Sequence, residues 1–213
     1  GKNTSPCKSE KKEKNKAKVL EVWMDVKNAV KERRAVKTLG PVEVDSELVE
    51  DLAGVAGLAA SCFNNQPWRF VFVYGEEKLQ ELFGALAGGN AWAKKASMLV
   101  AVVSRKDDDC VVADREYHLF DTGMATAHLL LRATELGLVA HPMAGFKGAR
   151  AKKILGVPED RTLVTLIAVG KRVDEIDEDL DEDAVEAERT RPPRKPLGEI
   201  AFKDTYGQRV GSS

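Results

Sequence analysis

The chain contains few of the residues on which small disulfide-stabilised and zinc-binding domains depend. Its 213 residues include three cysteines and three histidines. Cys7, Cys62 and Cys110 are odd in number and lack metal-type spacing, so the sequence predicts neither a disulfide framework nor a zinc site, and reduced thiols are expected. His118 and His128 lie too far apart in one predicted helix to form a pair of metal ligands, so no metal is expected.

The chain also lacks long apolar runs and a large net charge of either sign. Lys and Arg number 33 against 34 Asp and Glu, which gives a formal charge of -1. The balance argues against a nucleic-acid partner and against binding to an acidic membrane surface. No apolar segment of signal-peptide type follows the basic start, and no run reaches membrane-spanning length. We therefore expect a soluble, cytoplasmic protein.

The first residues differ in composition from the rest of the chain. The segment from Lys2 to Lys18 is rich in lysine and poor in large apolar residues, which is typical of disordered chain. We therefore assign residues 1–23 to an extension and residues 24–213 to a single domain, with Met24 as a possible natural start. Binding of a polyanion by this arm is an alternative function.

Hydrophobic periodicity after Met24 predicts alternating helices and strands. Apolar residues from Leu48 to Leu58 recur every three or four positions, as on one face of a helix. A second, longer helix is predicted to open at Asp114 or an adjacent residue and to end at Gly137. Further helices are predicted near 26–37, over 77–86 and up to about 155, with strands over 69–74, 97–104, from 138 and over 162–170. Helices interleaved with four strands indicate a mixed α/β layer fold.

Several polar and basic segments stand apart from this pattern. One basic cluster, Arg33, Arg34 and Lys37, lies near the start of the core, and a second, within Arg189 to Lys195, lies near its end. Either one alone is more typical of a solvated face than of a binding site. The turn over 61–68 offers amides that both donate and accept hydrogen bonds, and the segment 142–145 ends in a glycine against which a flat ring could lie. The acidic run over 174–188 is interpreted as a solvated linker or weak helix.

Five of these segments, taken in order, resemble motifs of the nitroreductase family. Arg33-Arg34-Ala35-Val36-Lys37 resembles the opening Arg-Arg-Ser-x-Arg, and Ser61-x-x-Asn64-x-Gln66-Pro67-Trp68 resembles Ser-Ser-x-Asn-x-Gln-Pro-Trp. Asp121-x-Gly123-x-Ala125, followed by Gly137-Leu138, is similar to the central helix. The segment from His141 to Phe146 is similar to the flavin-facing turn, and Arg194-Lys195-Pro196-Leu197 to the C-terminal segment.

The resemblance implies an α+β fold, a three-layer α/β/α sandwich with a mostly antiparallel sheet. It also implies an intertwined homodimer in which residues 189–213 embrace the partner subunit and FMN lies in the interface. Arg33, Arg34 and Arg194 would hold the phosphate, and Lys37 would lie near the ribityl chain or the pyrimidine edge of the ring. The other implied cofactor-binding residues are Ala35, Ser61, Asn64, Gln66, Pro142, Met143, Ala144 and Gly145, of which Asn64 and Gln66 would come from the other protomer.

The implied activity is that of an NAD(P)H-dependent FMN oxidoreductase. By a ping-pong mechanism, NADH or NADPH would give hydride to flavin N5, faced by a backbone N–H of the Ala144-Gly145 turn, and a small oxidised acceptor such as a nitroaromatic or quinone would take it. No catalytic side chain is required. Alternatives are another flavin reaction, such as reductive dehalogenation or oxidation, and a flavin-binding module without turnover.

Three positions depart from the family pattern, and two side chains near the site are undecided. Ala35 replaces the usual Ser, Lys37 stands where Arg is common, and Ala144 replaces an acid found in some relatives. A lost hydrogen bond to a charged group costs roughly 1.5–3 kcal/mol, which would weaken FMN retention without abolishing it. Trp92 is a candidate for the substrate slot or for the core, and Asn90 a candidate to face the flavin.

Overall fold

The computed structural model describes residues 24–176, 178 and 180–210. The predicted extension over 1–23 lies outside the described residues. The helices are α1 (Val26–Glu32), α2 (Ser46–Gly57), α3 (Glu76–Phe83), α4 (His118–Glu135), α5 (Gly148–Leu155), α6 (Glu182–Arg189) and α7 (Leu197–Ile200). The strands are β1 (Leu39–Gly40), β2 (Trp68–Val73), β3 (Met98–Ser104), β4 (Val111–Val112), β5 (Arg115–Glu116), β6 (Leu138–Met143) and β7 (Thr162–Arg172).

Five of the strands form one sheet whose described pairings are all antiparallel. β3 lies between β2 and β7, and β6 pairs with the other edge of β7. The short β1 pairs with the end of β7, where Leu39 lies opposite Arg172. β4 and β5 form a separate hairpin. This sheet contains the four predicted strands, and the short β1, which was not predicted, adds a fifth.

Helices cover both faces of the sheet. β3 is buried along its whole length, so alternate residues face opposite cores. One face packs against α2 and α4 through Leu52, Ala56, Met98, Val100, Leu129, Ala133 and Ile167. The other packs against α3 and α5 through Leu79, Leu82, Phe83, Leu99, Ala151, Leu166 and Ala168. The predicted α/β/α sandwich with an antiparallel sheet is therefore confirmed.

Local signals explain where most helices begin and end. The Asp45 carboxylate accepts the Leu48 N–H and caps α2, which satisfies one of the free amides at the helix start. α4 is followed by Gly137 in the left-handed region, with φ of 73°, so the predicted end is confirmed. Its predicted start is wrong, because Asp114 lies in the β4–β5 hairpin and the helix begins at His118.

The acidic run after β7 is partly folded. Asp181 caps α6 by accepting the Ala184 N–H, and Glu188 in this helix is only 5% exposed. The helix alternative is therefore confirmed for the end of the run, and the prediction of a solvated segment is wrong for Glu188. Among the described residues, none of the helices combines the length and the apolar character that a membrane-spanning segment needs.

Candidate functional site

The two basic clusters of the sequence meet in one place. Arg191 Nη2 donates to the carbonyl oxygens of Lys31 and Arg33, the latter at 2.9 Å. Burial lowers the pKa of Arg33 below its ordinary value, and the charges of Arg191 and Arg194 lower it further. Burial likewise lowers the pKa of Arg34, with added repulsion from other arginines. Like charges held this close favour an anionic ligand.

Glu188 joins this cationic cluster to α6. Its Oε1 accepts the Lys37 N–H at 2.5 Å, and its Oε2 accepts the Thr38 hydroxyl at 2.8 Å. Arg172 Nη2 donates to its backbone carbonyl at 3.2 Å, and Arg34 Nη2 donates to the neighbouring Ala187 carbonyl. The buried Glu188 carboxylate thus holds the basic segment over 33–37 in place. The sequence pattern did not indicate this role for Glu188.

His141 connects the basic segment to β6. Its Nδ1 lies 2.9 Å from the Val36 carbonyl oxygen. A carbonyl can only accept, so Nδ1 carries the proton and Nε2 does not. The ring lies 4.5 Å from the Trp92 ring, centroid to centroid. Burial lowers the pKa of His141, which favours the neutral ring. Trp92 is 5% exposed and belongs to the core, so its assignment as a wall of the substrate slot is not supported.

The turn after β6 is fixed by Asn90. The Gly145 carbonyl accepts from Asn90 Nδ2 at 2.8 Å and from the Ala87 N–H at 3.0 Å. Asn90 Oδ1 in turn accepts from Trp92 Nε1 at 3.2 Å. A Cβ on Gly145 would lie 2.6 Å from Asn90 Nδ2. A side chain at this position would therefore displace the Asn90 amide, whereas glycine allows the close approach.

The polar turn over 61–67 has an unusual backbone. Phe63, Asn64 and Gln66 have φ of 48°, 59° and 50°, a region that residues other than glycine rarely adopt. Ser61 Oγ accepts the Gln66 N–H at 3.0 Å, and Gln66 Nε2 donates to the Asn64 carbonyl at 3.1 Å. The Asn64 and Gln66 side chains are exposed, so they are open to a ligand.

A disulfide links Cys62 in this turn to Cys110, with a Cα–Cα distance of 6.0 Å. The prediction of reduced thiols is wrong for this pair, and Cys62 is half-exposed rather than buried. The cause is the sheet register. Trp68 at the start of β2 pairs with Ser104 at the end of β3, so the chain just before β2 meets the chain just after β3. Because the two cysteines lie 48 residues apart in the chain, no local sequence pattern indicated their pairing. Cys7 lies outside the described residues.

Two carboxylates lie beneath the disulfide. Asp121 in α4 is 2% exposed, and its Oδ2 accepts the Cys62 N–H at 2.6 Å. Burial raises the pKa of Asp121, and the charge of the adjacent Asp109 raises it further. Asp109 Oδ2 is buried without a hydrogen-bond partner among the described residues. Three ligand atoms of Cys62, Asp109 and Cys110 lie within 4.8 Å of one another, but both sulfurs are committed to the disulfide.

The predicted site residues fall into two groups. The first group is Arg33, Arg34, Ala35, Lys37 and Arg194. It is linked to β6, because the Val36 carbonyl within the segment 33–37 contacts His141. The charges of Lys37 and Arg33 act on His141, and that of Arg194 acts on Arg33. Ser61, Asn64 and Gln66 lie at the start of β2. His141 is opposite Ala168 in β7, which is opposite Leu99 in β3 and so level with Val73 in β2, five positions from Trp68. The offset is about 17 Å along the strand and about 14 Å across three strand spacings, or roughly 22 Å in all.

A match to a known family accompanies this geometry. The sequence model described as the Nitroreductase family matches residues 30–108 and 84–171, which include the basic segment, the polar turn and the β6 turn. The chain belongs to the Nitroreductase family.

Individual relatives agree with this membership of the nitroreductase family. Protein DrgA of Synechocystis is 27% identical over 207 residues, covering 83% of this chain and 95% of that protein. An NADH dehydrogenase of Thermus thermophilus is 25% identical over 183 residues, covering 71% and 89%. A solved structure described as an oxidoreductase containing FMN has 29% identity and a TM-score of 0.74, covering 85% of this chain and 92% of that chain.

Proposed function

We propose that the protein is an FMN-dependent oxidoreductase that transfers hydride from NADH or NADPH to a small oxidised acceptor such as a nitroaromatic or a quinone. The observation that carries the proposal is the convergence of Arg33, Arg191 and Arg194, in a segment whose Val36 carbonyl contacts His141 of β6. The FMN named for the similar solved structure and the NADH named for the Thermus relative support the choice of cofactor and donor.

The cationic cluster fits a phosphate monoester. Mutual repulsion and burial disfavour the charged state of Arg33, and a dianion would relieve both effects. Arg34 and Arg191 each use one nitrogen to donate to backbone carbonyls. A guanidinium has five N–H donors in all, so both can still bind phosphate oxygens. Arg191 joins Arg33, Arg34 and Arg194 as a phosphate ligand in this proposal.

The β6 turn fits a flat ring. Gly145 brings no side chain to the turn, and its carbonyl is held by Asn90 Nδ2 at 2.8 Å. The carbonyl is thereby fixed toward the protein, which leaves the half-buried Pro142 and the exposed Ala144 to border the ring. The Met143 side chain is buried in the core, so only its backbone remains a candidate for contact with the ring. When bound, FMN supplies the redox chemistry through N5. The chain's own residues orient it, so no side chain is proposed as a catalytic acid, base or nucleophile.

We further propose a homodimer with shared sites. The strand residues nearest the two groups of predicted ligands, His141 and Trp68, are roughly 22 Å apart in the sheet of one protomer, so Ser61, Asn64 and Gln66 would act on the partner's cofactor. Apolar side chains support an interface. Leu58 is 80% exposed and Phe63 89% exposed. An apolar cavity of about 410 Å³ lies between α1, α2 and α4, lined in part by Val26, Val55 and Leu131.

The first test is the visible absorption spectrum of the purified protein before and after anaerobic NADPH or NADH. A flavin spectrum that bleaches is expected, followed by reoxidation on addition of a nitroaromatic or quinone. A colourless protein that cannot be reconstituted with FMN contradicts the proposal. Bound flavin that neither nucleotide reduces would instead favour a binding module without turnover.

The phosphate site is tested with Arg194→Ala, and Arg189→Ala serves as the control because Arg189 is an exposed arginine at the end of α6. Loss of one charged contact predicts FMN binding weaker by about tenfold or more. Equal affinities of the two variants would remove Arg194 from the site.

Sedimentation should show a dimer, and a monomer that retains FMN at full affinity would contradict the shared site.

A further inference from the structure

The disulfide between Cys62 and Cys110 ties together two loops at one end of the sheet. Cys62 starts the turn that leads into β2, and Cys110 lies between β3 and the β4–β5 hairpin. Both residues are half-exposed, so a small thiol can reach the bond. One of these loops carries Ser61, Asn64 and Gln66, which the proposed function assigns to FMN.

The turn needs outside support to keep its shape. Left-handed backbone at Phe63, Asn64 and Gln66 persists only where surrounding contacts hold it. The bonds within the turn, such as Gln66 N–H to Ser61 Oγ, close it upon itself but do not anchor it. Anchoring comes from tertiary contacts.

The anchors are few, and most of them converge on one loop. The Cys62 N–H bonds to Asp121 in α4. Asn65 Nδ2 donates to Asp109 Oδ1 at 3.3 Å and to Cys110 Sγ at 3.5 Å. These two bonds are long and exposed. The Ser104 hydroxyl also donates to the Pro67 carbonyl at 3.4 Å, where β2 and β3 pair, but this contact holds only the end of the turn. The covalent bond between Cys62 and Cys110 is therefore the strongest link between the start of the turn and the loop that carries Cys110.

We propose that Cys62–Cys110 is a redox-active disulfide, that a dithiol reductant opens it, and that opening loosens the turn over 61–67. The reductant's thiolate bonds to Cys62 Sγ as the S–S bond breaks, and Cys110 Sγ leaves with the electron pair beside the Asn65 amide. The reductant's second thiol then displaces Cys62 Sγ. Both protein sulfurs end protonated, and the reductant ends as a cyclic disulfide, having given two electrons.

The consequence for the cofactor rests on the proposed function. Asn64 and Gln66 bind FMN only while the turn holds its left-handed backbone. If reduction lowers the population of that conformation to about a tenth, the apparent Kd for FMN rises about tenfold. The redox state of the two cysteines would then set how firmly the protein retains its flavin.

The test uses the full chain with Cys7→Ser, so that Cys62 and Cys110 are its only cysteines. The protein is compared oxidised and after anaerobic dithiothreitol, and a further variant carries Cys62→Ser and Cys110→Ser. Alkylation with mass mapping follows the thiols. Quenching of FMN fluorescence gives the Kd. Hydrogen exchange follows the turn amides that have defined acceptors, those of residues 62 and 64–66.

We expect reduction to free both thiols, to raise the FMN Kd about tenfold and to speed exchange over 62–66. The serine variant should match the reduced protein and should not respond to reductant. FMN Kd and exchange that are equal in all three forms would overturn the inference while leaving the proposed function intact. Faster exchange on reduction, in a protein that binds no FMN in any form, would uphold the redox-active disulfide and overturn the proposed function.

Discussion

Replacing Glu188 should destabilise the protein far more than replacing any exposed acid of α6. The side chain is 5% exposed and accepts from the Lys37 N–H at 2.5 Å and from the Thr38 hydroxyl at 2.8 Å. Glu188→Ala leaves both donors buried without an acceptor and removes an anion from among the arginines. Loss of one partner from such a buried charged network costs about 3–5 kcal/mol.

Glu188→Gln separates the hydrogen bonds from the charge. The amide oxygen can still accept from one donor, so the expected loss of unfolding free energy is smaller, about 1–2 kcal/mol. The positive potential of the cluster rises when the carboxylate is removed. In the folded Gln variant, FMN should therefore bind at least as tightly as in the unchanged protein.

Urea unfolding followed by tryptophan fluorescence measures both variants. Glu186→Ala is the matched control, because Glu186 lies in the same helix and is exposed. If Glu188→Ala loses no more stability than Glu186→Ala, then the buried carboxylate does not hold the basic segment, and this account of the site is wrong.

Three further changes have defined outcomes. Gly145→Ala should weaken FMN binding, measured by flavin fluorescence, because the new Cβ would lie 2.6 Å from Asn90 Nδ2. His141→Gln should reduce the fall in the free energy of unfolding that occurs as the pH is lowered. The folded pKa of His141 is lowered, so the unfolded chain binds the proton first and the native protein loses stability as the pH falls below about 6.5. Replacing Cys62 and Cys110 by Ser should lower the free energy of unfolding by about 4 kcal/mol, because the bond closes a long loop.

Gly145→Ala has a matched control, and each of the three changes has an outcome that would contradict it. Gly54→Ala lies in α2 with nothing within 4 Å of the added Cβ, so it should leave FMN binding unchanged and stabilise the helix. Unchanged FMN affinity in Gly145→Ala would show that Asn90 gives way freely. Equal pH profiles with and without His141 would assign the acid sensitivity to other groups. A serine double variant as stable as the oxidised protein would refute the loop-closure argument.

The sequence alone predicted most of the secondary structure and, through a family resemblance, the segments proposed to bind the cofactor. Periodicity of apolar residues is a local signal, so β3 and the end of α4 at Gly137 could be predicted from their own neighbours. The start of α4 could not, because the exposed hairpin before it has no strong pattern. The motif residues Arg33, Gly145 and Arg194 were found because their types and order resemble a family.

Only the tertiary structure decided which side chains meet. The register between β2 and β3 brings Cys62 to Cys110, and the return of α6 buries Glu188 beside Lys37. The sequence did not settle the role of Asn90, whose side-chain amide donates to the Gly145 carbonyl in the folded chain. Such contacts join residues dozens of positions or more apart, and their energies depend on strand pairing and helix packing that no local pattern encodes.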